Sequence, residues 1–397
     1  MARPFELKRY LRQTPIQLLK AYFVTNRIAI DLSVFDATSV DPIAAAILEM
    51  EDVARGKVES DFRDVDAIAN ERGINALADE ADWHSQNNPA KYLHDARLRE
   101  RLSGMESDHE RAMWIYINRP VYWHGAMRFF QADILGPSQW HKRNDLPKRA
   151  ARVNEEAQRD LGDALGRYFH ERHGRGQLCA IEVFRRRDAD YYFCFGQDSS
   201  EAPHAWIAGQ LARQPLHRTR DVIFIYSSKA GSLDTHARGG FREVAALQAI
   251  FAEVTLEHRD LQPAEKDRRV YELDLLKSRD FPFLYDDRSE IESVVLRSLR
   301  FSPKYGERPN FIIQGDHAAD PQSVHKEIAA LGLPLDDLHV TQAEIGIQFT
   351  PTPARQNRNV LARLTHPNMC SLRYDGLDLI VRDMLAESGL ELQEPSS

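Results

Sequence analysis

Four polar residues between positions 178 and 240 could together support hydrolysis. Glu182 lies on a β-like run, Asp234 and His236 lie on a second run, and Lys229 stands in the turn before that second run. A metal-dependent nuclease of the PD-(D/E)xK kind needs acids and a lysine on a hairpin, where they hold magnesium beside phosphate. The position two beyond Glu182, where such a site carries lysine, is Phe184. Because Phe184 does not match this motif, a catalytic site formed by the four residues on one sheet is only the alternative interpretation.

Seven basic residues favour a binding function over a catalytic one. Arg185, Arg186 and Arg187 stand at a predicted hairpin tip, where long cations can dock against a phosphate backbone or an acidic protein. The neighbouring Asp188 and Asp190 support a plainer interpretation, in which the tip is only a soluble turn. The other four basic residues lie on the first two predicted helices: Lys8, Arg9, Arg12 and Lys20.

The net charge of −8 is unevenly distributed along the chain. Residues 3–27 hold six basic side chains against one acid, whereas residues 51–110 hold 15 acidic and 8 basic ones. The sequence thus predicts a basic leading edge followed by an acidic flank. A protein that coats nucleic acid carries a broader basic excess, so the charge pattern favours a local contact with a partner.

No cofactor or metal site is predicted. Gly239-Gly240 precedes a helix, but no GxGxxG or P-loop surrounds it. The pair allows a tight turn, or alternatively its amides hold an anion together with Lys229 and Arg238. His170 and His173 share a helix face, yet arginines surround them and favour a solvated helix end over a metal site.

Length and composition place the chain among globular cytoplasmic proteins. Its 397 residues suffice for two or three domains, and 43% of them are apolar. No apolar run approaches the roughly 20 residues of a membrane-spanning helix, and the N-terminus lacks a secretory core. Three scattered cysteines predict reduced thiols, with no disulfide framework.

The element pattern predicts an α+β fold with a helical N-terminal domain. We predict a helical domain over 1–174, two hairpins and a helix over 175–262, and a C-terminal α+β domain over 263–397. Capping signals at Thr14 and Ser107 open helices, and Gly73 and Gly104 are predicted to end them. The longest predicted helix is 147–173.

Several local predictions can be compared directly with a structure. A hairpin turn near position 189 would place Cys194 opposite Val183, and a second hairpin surrounds residues 229–231. The predicted helix 241–256 follows Gly239-Gly240. We predict a strand over 270–276, leave 291–301 as strand or helix, and expect 345–349 to pair with 360–364. The aromatic residues between Trp114 and Trp140 are predicted to fill a core.

The function predicted from these features is recognition or scaffolding, without catalysis. The chain would be a subunit of a bacterial complex, and phage defence is one setting in which such a subunit acts. Its basic surfaces would bind another protein subunit or, as a second class of partner, nucleic acid, with no role for a membrane. The metal-dependent nuclease or hydrolase on the 178–240 sheet remains the alternative.

Overall fold

The computed structural model describes residues 4–92, 97–136, 140–207, 209–262, 269–305, 309–316, 320–351, 358–374 and 376–392. These residues form thirteen α-helices, several short 3₁₀ helices and three antiparallel sheets, so the fold class is α+β with a helical N-terminal region, as predicted. The chain divides into two compact units, Met1–Ile134 and Leu135–Ser397. The finer division into three domains stays a prediction, and its boundary at 262 adjoins residues 263–268, which lie outside the described residues.

The first unit is helical. Aromatic side chains hold it together, because Tyr10 and Tyr22 both pack on Phe62, with ring centroids 4.7 and 5.0 Å apart. The core prediction for the aromatic segment is confirmed at Tyr122 and Phe129, which are fully buried. Its helices are α1 (Leu7–Gln13), α2 (Ile16–Thr25), α3 (Asp41–Leu48), α4 (Asp52–Ile68), α5 (Glu71–Asn87), α6 (Pro89–Tyr92), α7 (Leu98–Ser103), α8 (Asp108–Asn118) and α9 (Trp123–Asp133).

The second unit begins with a five-stranded sheet, the first sheet, whose strand order is β1-β7-β6-β3-β2. Two helices, α10 (Glu155–His173) and α11 (Phe241–Leu256), pack on one face. A two-stranded ribbon of β4 and β5 interrupts the sequence between β3 and β6. The strands are β1 (Trp140–Arg143), β2 (Cys179–Arg186), β3 (Ala189–Glu201), β4 (His204–Ile207), β5 (Gln210–Arg213), β6 (Leu216–Ser227) and β7 (Ser232–His236).

Alternation along the strands decides what each face of the first sheet carries, because neighbouring residues point to opposite sides. Tyr192 and Phe224 point toward the helices and meet Phe251 of α11 at centroid distances of 5.0 and 4.9 Å. The residues one step along, including Asp234 and Glu182, therefore point to the opposite face. That face carries the charged groups considered below.

A second sheet, ordered β12-β11-β10-β8-β9, completes this unit. One face of this sheet packs on α12 (Ser323–Ala330) and α13 (Gly376–Glu387), with Phe301, Ile345 and Met384 in a shared core. Residues predicted to pair do so, since Ile347 stands opposite Val360. The strands are β8 (Ile291–Pro303), β9 (Phe311–Gln314), β10 (Leu338–Phe349), β11 (Asn359–Thr365) and β12 (Met369–Cys370).

Helix-capping predictions from sequence succeed at one site and fail at another. The Ser107 hydroxyl accepts the Glu110 amide at 3.1 Å, which confirms the predicted cap. The Thr14 prediction is wrong, because its hydroxyl donates backward to the Tyr10 carbonyl at 3.1 Å and Pro15 occupies the N-cap. Gly104 ends α7 as predicted. Gly73 does not end a helix: it lies in the first turn of α5.

Two element predictions are wrong in instructive ways. The helix predicted from 147 begins only at Glu155, because the Asn154 side chain caps it by accepting the Ala157 amide at 3.0 Å. The predicted strand over 270–276 is instead a 3₁₀ turn at Leu273–Lys277, whose Leu273 and Leu276 are buried in the core of the second sheet. The ambiguous segment 291–301 is strand, and helix 241–256 is confirmed.

The first hairpin turns about one residue earlier than its composition indicated, which shifts the cross-strand pairing by two residues. Arg187 and Asp188 form the turn, with Arg187 at a φ of 52°, so Cys194 stands opposite Ile181 where we predicted Val183. A shift by two preserves the alternation of faces. The second hairpin turns between β6 and β7, as predicted.

Candidate functional site

Most of the N-terminal basic residues predicted to bind a partner contact acids of their own unit. Three ion pairs form: Lys8 with Asp41 at 2.8 Å, Arg9 with Asp66 at 2.9 Å and Lys20 with Asp36 at 3.4 Å. Arg12 is exposed and close enough to Asp41 to lower the pKa of that carboxyl, after the larger effects of Lys8 and Ser39. Pairing reduces the positive potential that this edge presents to a polyanion.

The three arginines of the first hairpin tip have different surroundings. Arg185 is half-exposed and donates to the Asp190 carboxylate at 3.0 Å. Arg186 is only 2% exposed, since it lies one step along the strand and faces inward. Arg187 is exposed in the turn itself. The tip thus presents one neutralised cation and one further cation to solvent, in place of the three that we predicted.

The four residues of the alternative site are not brought together. Asp234 and His236 share one face of β7, whereas Lys229 is exposed in the turn, where its charge acts on Asp383 of α13. Glu182 shares a row with His236 across the sheet, in the order His236, Ile223, Phe193 and Glu182. Three strand spacings separate the ends of that row, roughly 14 Å.

Asp234 belongs instead to a buried cluster of charges, which we call the junction cluster: Lys142, Asp234, Tyr374, Arg382 and Glu391. Lys142 of β1 forms an ion pair with Glu391 near the end of the described chain. Burial alone lowers the pKa of Lys142, but the Glu391 and Asp234 carboxylates outweigh it and raise the pKa. The Lys142 carbonyl also accepts a hydrogen bond from the Asn368 amide at 3.1 Å.

Arg382 supplies the second cation of the junction cluster. Its guanidinium stacks on the Tyr374 ring, 3.9 Å from the centroid, and donates to the carbonyls of Leu372 and Arg373 at 2.6 and 3.0 Å. Burial and the nearby Asp234 raise the pKa of the Tyr374 phenol well above its usual value. The phenol and the carboxylate face each other without forming a well-aligned hydrogen bond.

The junction cluster is balanced and closed, with two cations and two carboxylates. It joins β1 and β7 of the first sheet to α13 and to the segments on either side of that helix, so it acts as a structural connection. Sequence analysis identified Asp234 but missed Lys142, Arg382 and Glu391. The available signal was weak: a lysine within a short strand-like run and an arginine on the C-terminal helix are ordinary features of exposed elements.

The place predicted for an anion at Gly239-Gly240 already holds a carboxylate of the chain. Glu243, in the first turn of α11, accepts from Arg220 at 2.6 Å and lies 3.5 Å from His173. Gly239 has a φ of 146°, a conformation that favours glycine, and a Cβ at this position would meet the Glu243 carboxylate. An open cavity of about 440 Å³ adjoins these residues.

The paired histidines of α10 also have partners within the protein. The His170 ring nitrogen Nδ1 lies 2.8 Å from the Arg175 carbonyl, and His173 faces Glu243. Within the described ranges, no group of three or more His, Cys, Asp and Glu residues is placed to hold a metal ion. Cys179, Cys194 and Cys370 are free thiols, and burial raises the pKa of each of them.

The ribbon of β4 and β5, which we call the outer ribbon, exposes large apolar side chains. Trp206 is 75% exposed and stands directly opposite Leu211, which is 59% exposed. Ile207 on the other face is 44% exposed. A two-stranded ribbon is marginally stable by itself, and it keeps such side chains in water only at a cost. Contiguous exposed apolar groups of this kind mark interaction surfaces.

A histidine and an arginine flank the apolar pair on one side, on the same face of the outer ribbon. His204 and Arg213 are cross-strand partners, and alternation places them on the face that carries Trp206 and Leu211. Arg213 donates its Nε–H to the Ala202 carbonyl at 3.0 Å, which fixes the guanidinium beside the ribbon. The face therefore combines an aromatic and aliphatic centre with a basic rim.

Comparisons with protein-family models, with curated proteins and with solved structures find no significant match to this chain. Searched over its described residues, the chain contains no helix that is both long and apolar enough to cross a membrane.

Proposed function

We propose that the protein is a recognition or scaffold subunit that docks onto another protein through the outer ribbon. The observation that carries this proposal is the exposed cross-strand pair of Trp206 and Leu211 on a ribbon outside both hydrophobic cores of its unit. Tryptophan anchors are enriched among the few residues that dominate binding energy at protein interfaces. The function class is the one predicted from sequence, whereas the surface is different.

Charge supports a protein partner over nucleic acid. The chain carries a net charge of −8, and the predicted cations Lys8, Arg9 and Lys20 pair with acids of their own unit. Affinity for a phosphate backbone grows with the number of phosphates that unpaired cations neutralise. A ribbon with one arginine beside an apolar pair offers few such contacts.

The side chains of the outer ribbon also indicate which groups the surface of the partner should present. Trp206 and Leu211 fit a hydrophobic pocket, and the basic rim of His204 and Arg213 fits carboxylates at the border of that pocket. The protein would belong to a bacterial complex, for example one that acts in phage defence. We further propose that this complex is cytoplasmic, because the reducing cytoplasm keeps cysteines such as these three as free thiols.

The test is affinity capture of the full-length protein from its native host, comparing wild type with the double variant Trp206→Ser/Leu211→Ser. Loss of a central tryptophan anchor costs about 2 kcal/mol or more, which lowers affinity roughly 30-fold. We expect the partner recovered by wild type to be lost from the ribbon variant. A photo-crosslinking residue at position 206 should join the two proteins directly.

The matched control is Ile312→Ser/Leu361→Ser, which removes two exposed apolar side chains from the second sheet of the same unit. This control should recover the partner in full. Equal recovery by wild type and the ribbon variant would refute the proposal. Recovery that is abolished by nuclease treatment would assign the contact to nucleic acid instead.

A further inference from the structure

A cavity of about 310 Å³ opens between the 3₁₀ turn Leu273–Lys277 and helix α12. Its volume lies at the lower end of the range for small-molecule sites, roughly 300–1,000 Å³. One part of the lining is basic and the other is apolar. Lys277, Arg279, His325 and Lys326 supply the basic groups, and Ile328 and Leu333 supply apolar ones.

The basic groups are held in place by polar contacts of the fold. Lys277 donates to the Leu338 carbonyl and lies 3.2 Å from Asp274. Arg279 donates its Nε–H to the side-chain oxygen of Gln322, and among the described residues it pairs with no carboxylate. This arrangement leaves the outer nitrogens of the guanidinium available at the mouth of the cavity.

Nearby acids do not cancel the positive charge. Asp320 pairs with Lys326, and Asp274 divides its contacts among Lys277, the Val340 amide and His339, at 3.2, 2.7 and 2.9 Å. Among the described residues that line the cavity, Lys277, Arg279 and Lys326 carry permanent positive charges and none carries a carboxylate. The balance at the rim is positive, and Arg279 is exposed and accounts for the excess.

The apolar part of the lining restricts the kind of anion that fits. Ile328 is 5% exposed and belongs to the core of the second sheet, against which Leu333 packs. A fully hydrated anion makes no favourable contact with this apolar wall. A short hydrocarbon chain that packs against the wall is removed from water, which favours binding.

We propose that this cavity binds a small organic anion, with its anionic head at Arg279 and Lys326 and a short apolar chain against Ile328 and Leu333. This site is separate from the outer ribbon, and it does not depend on the function proposed for the ribbon. Charge-assisted hydrogen bonds to the head provide orientation, and burial of the chain provides selectivity.

The test is calorimetric titration of the full-length protein at low salt with three probes: hexanoate, neutral hexanamide and inorganic phosphate. We expect hexanoate to bind with a Kd of about 1 mM, and the other two to bind at least about tenfold more weakly. The double variant Arg279→Gln/Lys326→Gln should weaken hexanoate binding about tenfold. Lys304→Gln removes an exposed cation outside the cavity and should leave binding unchanged.

Each contrary outcome would overturn a stated part of the proposal. Equal affinity for hexanoate and hexanamide would remove the role of charge, and equal affinity for hexanoate and phosphate would remove the role of the apolar wall. Unchanged hexanoate binding in the double variant would place the ligand elsewhere. Absence of hexanoate binding up to about 20 mM, well above the expected Kd, would end the proposal without reference to any variant.

Discussion

At the scale of single residues, Lys142 shows how a charge is tolerated inside this protein. Its side chain is 8% exposed and that of its partner Glu391 is 12% exposed. Replacing Lys142 by methionine leaves Glu391 and Asp234 enclosed without their cation, which costs about 3–5 kcal/mol in the free energy of unfolding. Urea denaturation of Lys142→Met should show this loss.

Two further variants distinguish the enclosed pair from an ordinary one. Lys142→Met/Glu391→Met removes one charge of each sign and should recover more than half of the loss, because Asp234 then remains balanced by the nearby Arg382. Lys8→Met breaks the exposed pair with Asp41 and should cost far less, because solvent screens such a pair. Equal losses in Lys142→Met and Lys8→Met would contradict the assignment of a closed cluster.

His236 predicts a pH dependence of stability. Burial lowers the pKa of His236, Arg238 and His141 lower it further, and Asp221 opposes them. An unfolded histidine titrates near pH 6.5, so below about that pH the unfolded chain binds a proton that the folded chain does not. The free energy of unfolding therefore falls as the pH drops from about 6.5 toward the folded pKa, by up to about 1.4 kcal/mol per pH unit.

His236→Gln should reduce the difference in urea midpoint between pH 8 and pH 5. Some difference should remain, because burial also lowers the pKa of His141. The exposed His204 serves as the control, and His204→Gln should keep the wild-type pH dependence. An unaltered pH dependence in His236→Gln would show that this residue titrates alike in both states.

At the scale of elements, two glycines of α10 determine how closely this helix lies on the chain leading into β2. A Cβ atom at Gly166 would overlap the Gln177 carbonyl oxygen, and one at Gly162 would overlap that of Cys179. Alanine is a better helix former than glycine by about 1 kcal/mol. We still expect Gly166→Ala to destabilise by about 1–3 kcal/mol, because backbone must move.

Gly56 in α4 provides the control with the opposite sign. It lies in a helix interior, and no atom lies within 4 Å of the position that a Cβ would occupy, so Gly56→Ala should stabilise by about 0.5–1 kcal/mol. Chemical denaturation of both variants measures the two effects. Stabilisation by Gly166→Ala would show that the helix can move away from the strand at little cost.

Elements whose signals are local could be predicted from sequence, and elements set by tertiary contacts could not. Gly239-Gly240 followed by an amphipathic run identified α11 residue for residue. The Leu273–Lys277 turn was mistaken for a strand because its apolar spacing reflects burial under the second sheet. Tertiary packing between distant parts of the chain brings Lys142 to Glu391, and nothing in the spacing of those residues indicates it.

At the scale of the whole molecule, the charge segregation seen in the sequence is largely resolved inside each unit. Basic residues of the first two helices pair with acids from α3, α4 and the 3₁₀ turn Leu32–Asp36, and Arg185 pairs with Asp190. The uneven pattern along the chain therefore describes internal pairing more than a surface potential. Among the exposed apolar side chains, Trp206 and Leu211 of the outer ribbon stand directly opposite each other.

Because the proposed contact surface is mainly apolar, we predict that binding of the protein partner depends little on salt. An apolar anchor keeps its driving force when electrolyte screens charges, whereas several phosphate contacts lose roughly 10³-fold in affinity over a similar change. Raising NaCl from about 0.1 to about 0.5 M should weaken partner binding less than about fivefold, because only the basic rim is screened. Arg185→Ala/Arg187→Ala should bind like wild type at both salt concentrations. A steep loss with salt, abolished in that arginine variant, would return the contact to the hairpin tip and to the charges that the sequence first indicated.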